Sequence, residues 1–522
     1  MDQIFSVSRM LLGQNAWNTL KHGHGKEKPA CQFPETVQTR VAEAALPDYL
    51  PDLVRLEWAY YQAGRDRTEI PQASDEILIN PALHVFHHSW ILSPLFKKDS
   101  LCKPVPVPKE EYVLIWRHPD TGQVRLAAAD AEDLLALKIA VDEQTLADVA
   151  DQGNLTTGQL EDLMLKEIHY GLLIGPRSKI RRDPVFFPKK ASIDRNVTEV
   201  GIFTLQWHIT HACDMACKHC YDRSKRKAVT LNQGRDVMAD FYRFCREHNI
   251  RGHVCFSGGN PFLHPDFESL YRTAVSSGFT CSILANPVSR SRVEKLIHIR
   301  HPTYYQVSLE GLPDHNDEIR GSGSYARVID FLGILRDLKV TSAVMLTLTR
   351  ENMDQVLPLA ERLRGHADHF TFNRLSLTGE GAGLALPDPE AYVRFLHQYN
   401  DACGNNPILG MKDNLINIIR HREKQPLFGG CTAFGCGAAF SFLALLPDGE
   451  VHACRKFPSL LGNAYTESIS GIYHSEPAVK YRQGSASCTE CGLKTVCGGC
   501  MAVTSSMGLD MTSDRDPFCF ID

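Results

Sequence analysis

LQWHITHACDMACKHCY, residues 205–221, decides how this chain is read. The first six residues, rich in β-branched and aromatic side chains, predict a strand. The turn that follows places Cys213, Cys217 and Cys220 in a C-x3-C-x2-C spacing on one tight loop. Three thiolates so spaced can hold three irons of a 4Fe-4S cube and leave the fourth iron without a protein ligand. Structural zinc would need a fourth local ligand, and His219, between two of the cysteines, would strain to supply it; zinc and redox thiols are the alternatives for this loop taken alone.

Outward from the loop, strands and helices alternate. Segments 204–209, 253–257, 280–284, 305–309, 343–348 and 369–375 read as strands, and 236–248, 267–277, 327–338 and 353–364 as helices. The pattern predicts an α/β fold with a partial parallel (β/α)6 barrel, whose reactive groups sit on loops at the strand carboxyl ends.

After the next helix comes Cys255-Phe256-Ser257-Gly258-Gly259-Asn260-Pro261, then Val307-Ser308-Leu309-Glu310-Gly311, then Arg320 within HNDEIRG, with Asn286, Arg374 and Gly379 at the ends of other strands. Together with the thiolate loop, this order of features resembles the radical S-adenosylmethionine (SAM) superfamily. The resemblance implies that Gly258, Gly259, Asn260 and Pro261 hold the SAM amino group through backbone acceptors, and that Ser308 and Glu310 meet its ribose and carboxylate. Arg320 has the geometry for a carboxylate, unless it forms a surface pair with Asp317 or Glu318. Asn260 stands where the family has glutamate: it keeps an acceptor and loses a negative charge. The implied chemistry is a 5′-deoxyadenosyl radical that abstracts a hydrogen atom, with the protein supplying position and exclusion of solvent. No side chain is assigned as catalytic; Cys403 and Tyr392 are hydrogen-donor candidates whose other reading is core.

The chain has 17 cysteines, and eight of them crowd its last hundred residues. In reducing surroundings such thiols are available to metals rather than bound up in a disulfide framework. Cys431-x4-Cys436, Gly449-x4-Cys454 and Cys488-x2-Cys491-x5-Cys497-x2-Cys500, then Cys519, resemble the SPASM extension of the same superfamily. The resemblance implies two further 4Fe-4S clusters, one on Cys431, Cys436, Cys454 and Cys500 and the other on Cys488, Cys491, Cys497 and Cys519. The Cys497 to Cys500 gap is one residue shorter than the family's, and two zinc sites are the alternative. This segment is expected to be organised by its clusters more than by an apolar core. Cys31, Cys102, Cys245, Cys255, Cys281 and Cys403 stand alone and read as small buried hydrophobes.

Upstream, 46–63 has helical spacing, with Pro51 near its start. It resembles part of a small family described first as DNA-binding and then associated with peptide modification. From 109 to 174, two strands around a Pro119–Gly122 turn, three helices and a closing strand predict a winged helix. It resembles the leader-recognition domain of enzymes that modify ribosomally made peptides, in which a leader adds a strand to the sheet edge. A brace for the barrel is the alternative. DNA binding is disfavoured by Asp130, Glu132, Asp133, Asp142, Glu143, Asp148 and Asp151.

The expected domains are thus a helical N-terminal region (1–105), a winged-helix recognition domain (106–180), a radical SAM barrel (198–380) and a SPASM domain (381–522). With 522 residues, 43% hydrophobic and a net charge of -5, bulk electrostatics point to neither nucleic acid nor an anionic membrane. No apolar run is long enough to span a bilayer and no export signal stands at the N-terminus, so a cytoplasmic location is expected. The whole resembles a maturase of a ribosomally synthesised peptide, among them the thio(seleno)oxazole-modification radical SAM maturases. That implies SAM, three 4Fe-4S clusters, a precursor peptide with a leader, and an electron donor such as flavodoxin or ferredoxin. Sulfatase maturation to formylglycine and an iron-sulfur, DNA-binding redox sensor are the rival readings.

Overall fold

The computed structural model describes residues 1–25, 28–41, 46–97, 104–186 and 197–521. It divides into two units, Met1–Arg177 and Ser178–Asp522.

The first unit carries β1 (Leu78–Ile79), β2 (His84–Ile91), β3 (Val107–Arg117), β4 (Val124–Ala128) and β5 (Leu173–Ile174). Antiparallel β2, β3 and β4 form one sheet with β3 in the middle, and β1 pairs with β5. Four consecutive residues of β3, Val113, Leu114, Ile115 and Trp116, are buried, which happens only when both faces of a strand are covered. Leu114 and Trp116 pack with Leu137, Ile139, Leu160 and Leu163 from the helices that follow; Val113 and Ile115 pack with Leu53 and Leu56 of helix Leu50–Ala63. Each such side chain stabilises the unit by roughly 1.5–3 kcal/mol.

The helices Ala131–Val141 and Thr157–Tyr170 start at capping boxes, Asp130 with Asp133 and Thr156 with Gln159, and Thr145 caps Leu146–Gln152 between them. The segment expected to be helical up to residue 105 in fact supplies the edge strand β2 and the helix that covers one sheet face, so the expected boundary at 105/106 falls inside this unit. β2 was hidden because HVFHHSWI breaks apolar alternation with histidines.

In the second unit β6 (Ile202–Thr210), β7 (Arg251–Gly258), β8 (Thr280–Leu284), β9 (Tyr305–Ser308), β10 (Ser342–Leu348) and β11 (His369–Arg374) lie parallel, in chain order, as the alternation predicts. Helix Leu231–His248 shows how the layers join. Thr230 caps it, Asn249 in the left-handed region ends it, and Val237, Phe241, Phe244 and Cys245 bury one face; Phe203 and Phe279 lie against the two phenylalanines.

The sheet does not end with these six strands. β12 (Phe442–Leu445) pairs in parallel with β6, and β13 (Glu450–His452) and β14 (Leu460–Asn463) continue it antiparallel. Leu443, Leu445, Val451, Ile469 and Ile472 belong to the same apolar core as Phe203 and Phe244. This corrects two expectations: the tail has a substantial apolar core, and the expected boundary at 380/381 separates no compact units. The apolar run 438–446, too short for a bilayer, contains a buried strand of this sheet. Of the isolated cysteines, Cys245, Cys255 and Cys281 are buried, whereas Cys31 is exposed and Cys403 half-buried; Cys102 lies outside the described residues. Among the described residues no helix is long and apolar enough to cross a membrane.

Candidate functional site

At the carboxyl ends of β6 and β7 the chain makes the approach that the loop needs. Gly258 sits at φ 137°, and a Cβ on it would lie 2.1 Å from the Thr210 carbonyl oxygen; one on Gly259 would lie 2.3 Å from that of Ala212. Side chains at these two positions would push the thiolate loop off the strand end. Backbone bonds then pin the loop: Gly259 N–H donates to Thr210 (2.9 Å), Asn260 N–H to Ala212 (2.8 Å) and Lys218 N–H to Ile319 (3.0 Å). Arg223 donates to the Cys217 carbonyl at 2.6 Å.

Cys213, Cys217 and Cys220 line one cavity of about 420 Å³ together with Gly258, Gly259, Asn286, Ser308 and Arg320. Of the residues expected at this site, Asn260, Pro261 and Glu310 stand behind its wall rather than on it. Glu310, 2% exposed, is engaged on both oxygens: one accepts from Arg320 at 3.2 Å and lies 3.3 Å from His219 Nε2, and the other accepts the Thr347 N–H at 2.8 Å. Arg320 therefore pairs with neither expected partner, since Asp317 caps the next helix through Gly323 and Tyr325 and Glu318 pairs with Lys218. Arg320 Nε and His219 Nδ1 are buried without a hydrogen-bond partner. An unsatisfied guanidinium N–H at the wall of a polar cavity fits an anionic group such as the SAM carboxylate. Burial holds His208 down to about 3, and the neutral ring meets the Tyr221 hydroxyl at 3.2 Å.

The tail cysteines fall into two further cavities. One, about 70 Å³, is lined by Cys431, Cys436, Cys454 and Cys500 with Lys412 and Lys456; the other, about 20 Å³, is lined by Cys488, Cys491, Cys497 and Cys519. Cys497 and Cys500 part company because Gly498 and Gly499 between them both adopt left-handed φ, +67° and +64°, a turn that other residues rarely make. Four thiols suit a fully ligated cube, and the one carboxylate beside each set, Asp413 or Asp516, is taken up by Arg374. Among the described residues no three His, Cys, Asp or Glu side chains converge as they would on a single metal ion, a convergence that ligands on separate irons of a cube do not need.

Three residues of the first cavity's wall, Asn373, Arg374 and Lys456, also face the Cys431 cavity. Arg374 is buried and held by Asp413 (2.7 Å) and by both oxygens of Asp516 (2.9 and 2.6 Å), and Lys456 donates to its carbonyl. Asp516 also accepts the Cys500 N–H at 2.8 Å. Nothing local in the sequence marked Asp413 and Asp516, which lie 39 and 142 residues from Arg374. Tyr392 is packed against Phe518 and lines none of these three cavities; nor does Cys403.

The family model of the radical SAM superfamily matches residues 207–363, and that of the SPASM iron-sulfur cluster-binding domain matches 436–500. The chain carries a radical SAM domain and a SPASM domain. The radical SAM match covers the thiolate loop, the Gly258-Gly259 turn and Arg320; the SPASM match starts at Cys436 and ends at Cys500. Relatives include the mycofactocin maturase MftC of Mycolicibacterium smegmatis, 28% identical over 334 residues, which are 60% of this chain and 82% of that protein. Another is the antilisterial bacteriocin subtilosin biosynthesis protein AlbA of Bacillus subtilis, 25% identical over 316 residues, 56% of this chain and 66% of that one. Among solved structures, Streptococcus suis SuiB bound to its precursor peptide SuiA shares the fold, with a TM-score of 0.51 at 15% identity over 78% of this chain and 96% of that one.

Proposed function

We propose that this radical SAM enzyme modifies a ribosomally made precursor peptide and that it carries three 4Fe-4S clusters. The observation that carries the reading is the partition of eleven cysteines among three cavities, three at the strand ends and four in each tail cavity. In this reading Cys213, Cys217 and Cys220 hold the cluster with the open iron, and the two tail sets hold auxiliary clusters. When bound, SAM and that cluster supply the 5′-deoxyadenosyl radical.

This chain's own residues then position. Gly258 and Gly259 let the backbone come close to the ligand, Ser308 offers a hydroxyl, and Arg320, steadied by Glu310, offers its free Nε–H to a carboxylate. The six parallel strands, curving as a partial barrel, put these groups at one end. Relatives named as a maturase and a bacteriocin biosynthesis protein favour a peptide substrate over formylglycine formation or DNA sensing.

For the first unit, the antiparallel sheet β2-β3-β4 followed by three helices supports the winged-helix reading, and its edge strands β2 and β4 are where a leader would add a strand. Anaerobic co-expression with a candidate peptide encoded nearby, followed by mass spectrometry and assay of 5′-deoxyadenosine, tests the proposal. A mass change in the peptide that requires Cys213 supports it. SAM cleavage with no change in any peptide supplied, alongside modification of a sulfatase cysteine or serine, would overturn the peptide reading.

A further inference from the structure

Hydrogen bonds settle which way two buried amides face beside Cys213. Oδ1 of Asn260 accepts the Phe262 N–H at 3.2 Å, so Nδ2 is the group that donates to Asp214 Oδ1 at 3.0 Å. Oδ1 of Asn286 accepts from Arg320 at 3.2 Å, so its Nδ2 donates to the same Asp214 oxygen, at 2.6 Å. Two amides with no freedom to flip thus converge on one carboxylate. Asn260 and Asn286 are 2% and 7% exposed, whereas Asp214 is exposed on the thiolate loop.

A glutamate at 260, as in the family pattern, could still accept from Phe262. Its side chain is one methylene longer than that of asparagine, so its carboxylate would be pushed up against the Asp214 carboxylate, where the Asn260 amide now donates at 3.0 Å. Two carboxylates set face to face repel, and a glutamate has no N–H to give in place of the one that the Asn260 amide donates. Asn260 is therefore the residue that Asp214 requires.

We propose that Asp214 is a positioning residue that ties the thiolate loop to the ends of β7 and β8, and that it carries on the loop the negative charge the family pattern places at 260. The departure at 260 is one half of an exchanged pair. This rests on the reading that Cys213, Cys217 and Cys220 hold a cluster.

The test is a reciprocal exchange, read by iron per chain, by the change that SAM induces in the cluster's electron paramagnetic resonance signal, and by SAM affinity from equilibrium dialysis. Asn260→Glu alone sets two carboxylates face to face. It is expected to lose the loop's share of iron, from about twelve toward about eight per chain, and to bind SAM at least about tenfold more weakly. In Asp214→Asn/Asn260→Glu the amide and the carboxylate change places, and iron, signal and affinity should return to within about threefold of wild type.

A double variant no better than Asn260→Glu, or an Asn260→Glu protein indistinguishable from wild type, overturns the proposal. If Asn260→Glu is insoluble, the comparison passes to Asp214→Ala, which loses the acceptor, and Asp214→Asn, which keeps one: iron lost only in the former supports the pair, and equal behaviour overturns it. The Cys213/Cys217/Cys220 triple alanine variant runs alongside. Iron lost there establishes the cluster, so that a failed exchange then counts against Asp214 alone.

Discussion

The cavity at the strand ends and the two cavities of the tail are built from the same donor in opposite ways. The first surrounds about 420 Å³ with three cysteines, one of them exposed; the tail cavities, about 70 and 20 Å³, have four each. Where thiols are one short and space is ample, a small molecule can complete the site. Where thiols are complete and space is scarce, nothing else fits. In the proposed reading, the difference puts SAM chemistry at the strand ends and leaves the tail to electron transfer or to positioning of the peptide.

The largest expected effect breaks the comparison outright. Replacing Cys213, Cys217 and Cys220 by alanine should remove about four of about twelve irons and all reductive cleavage of SAM. Retained 5′-deoxyadenosine formation, measured by chromatography, would sink the radical assignment, and a wild-type chain that saturates near four irons with stoichiometric zinc would sink the tail's.

Changing Cys488 and Cys491 to alanine should abolish peptide modification while uncoupled SAM cleavage persists, because those thiols face only the smallest cavity. Full turnover of peptide in that soluble variant would reduce the tail clusters to scaffolding.

A smaller effect sharpens the link between the two regions. Asp516→Ala leaves the buried Arg374 with Asp413 alone and frees the Cys500 N–H, and should cost about 3–5 kcal/mol of stability, read as a lower melting temperature with iron lost from the tail first. An unchanged melting temperature would show that Arg374 does not depend on this pair.

The smallest concerns thiol reactivity in metal-free protein. Burial pushes the Cys436 thiol up to about 12 and that of Cys497 higher still. A raised value means little thiolate below it, so alkylation of these two should stay slow at pH 8 and rise steeply only as pH approaches 12. Exposed Cys213 should be labelled before either of them, by more than about tenfold in rate; peptide mapping after timed iodoacetamide treatment checks the order.

Much of this contrast was legible in the sequence, and the reasons are local. C-x3-C-x2-C on a loop after a strand, and strands alternating with helices, are short-range signals, and all six parallel strands fall where alternation puts them. The grouping of the tail cysteines followed a resemblance, and the two left-handed glycines after Cys497 give it a physical reason. What stayed hidden is long-range. The pairing of β12 with β6 joins segments more than two hundred residues apart and leaves no periodicity to read. Glu310 looked like a ligand for ribose or carboxylate, yet its oxygens are taken by Arg320 and Thr347, with His219 beside it, partners that only the folded chain brings together. Asn260 looked like a weakened ligand because its partner, Asp214, is 46 residues away.

The same pairing of β12 with β6 has a consequence for how the protein is made. On the ribosome, β6 and its thiolate loop emerge more than two hundred residues before the strand that lies against them. At roughly 5–20 residues per second, that flank of β6 stays an open edge for roughly 10–50 s. An open sheet edge is a template for mispairing with other chains. Nascent chains stalled before Phe442 should therefore aggregate more than the full-length chain.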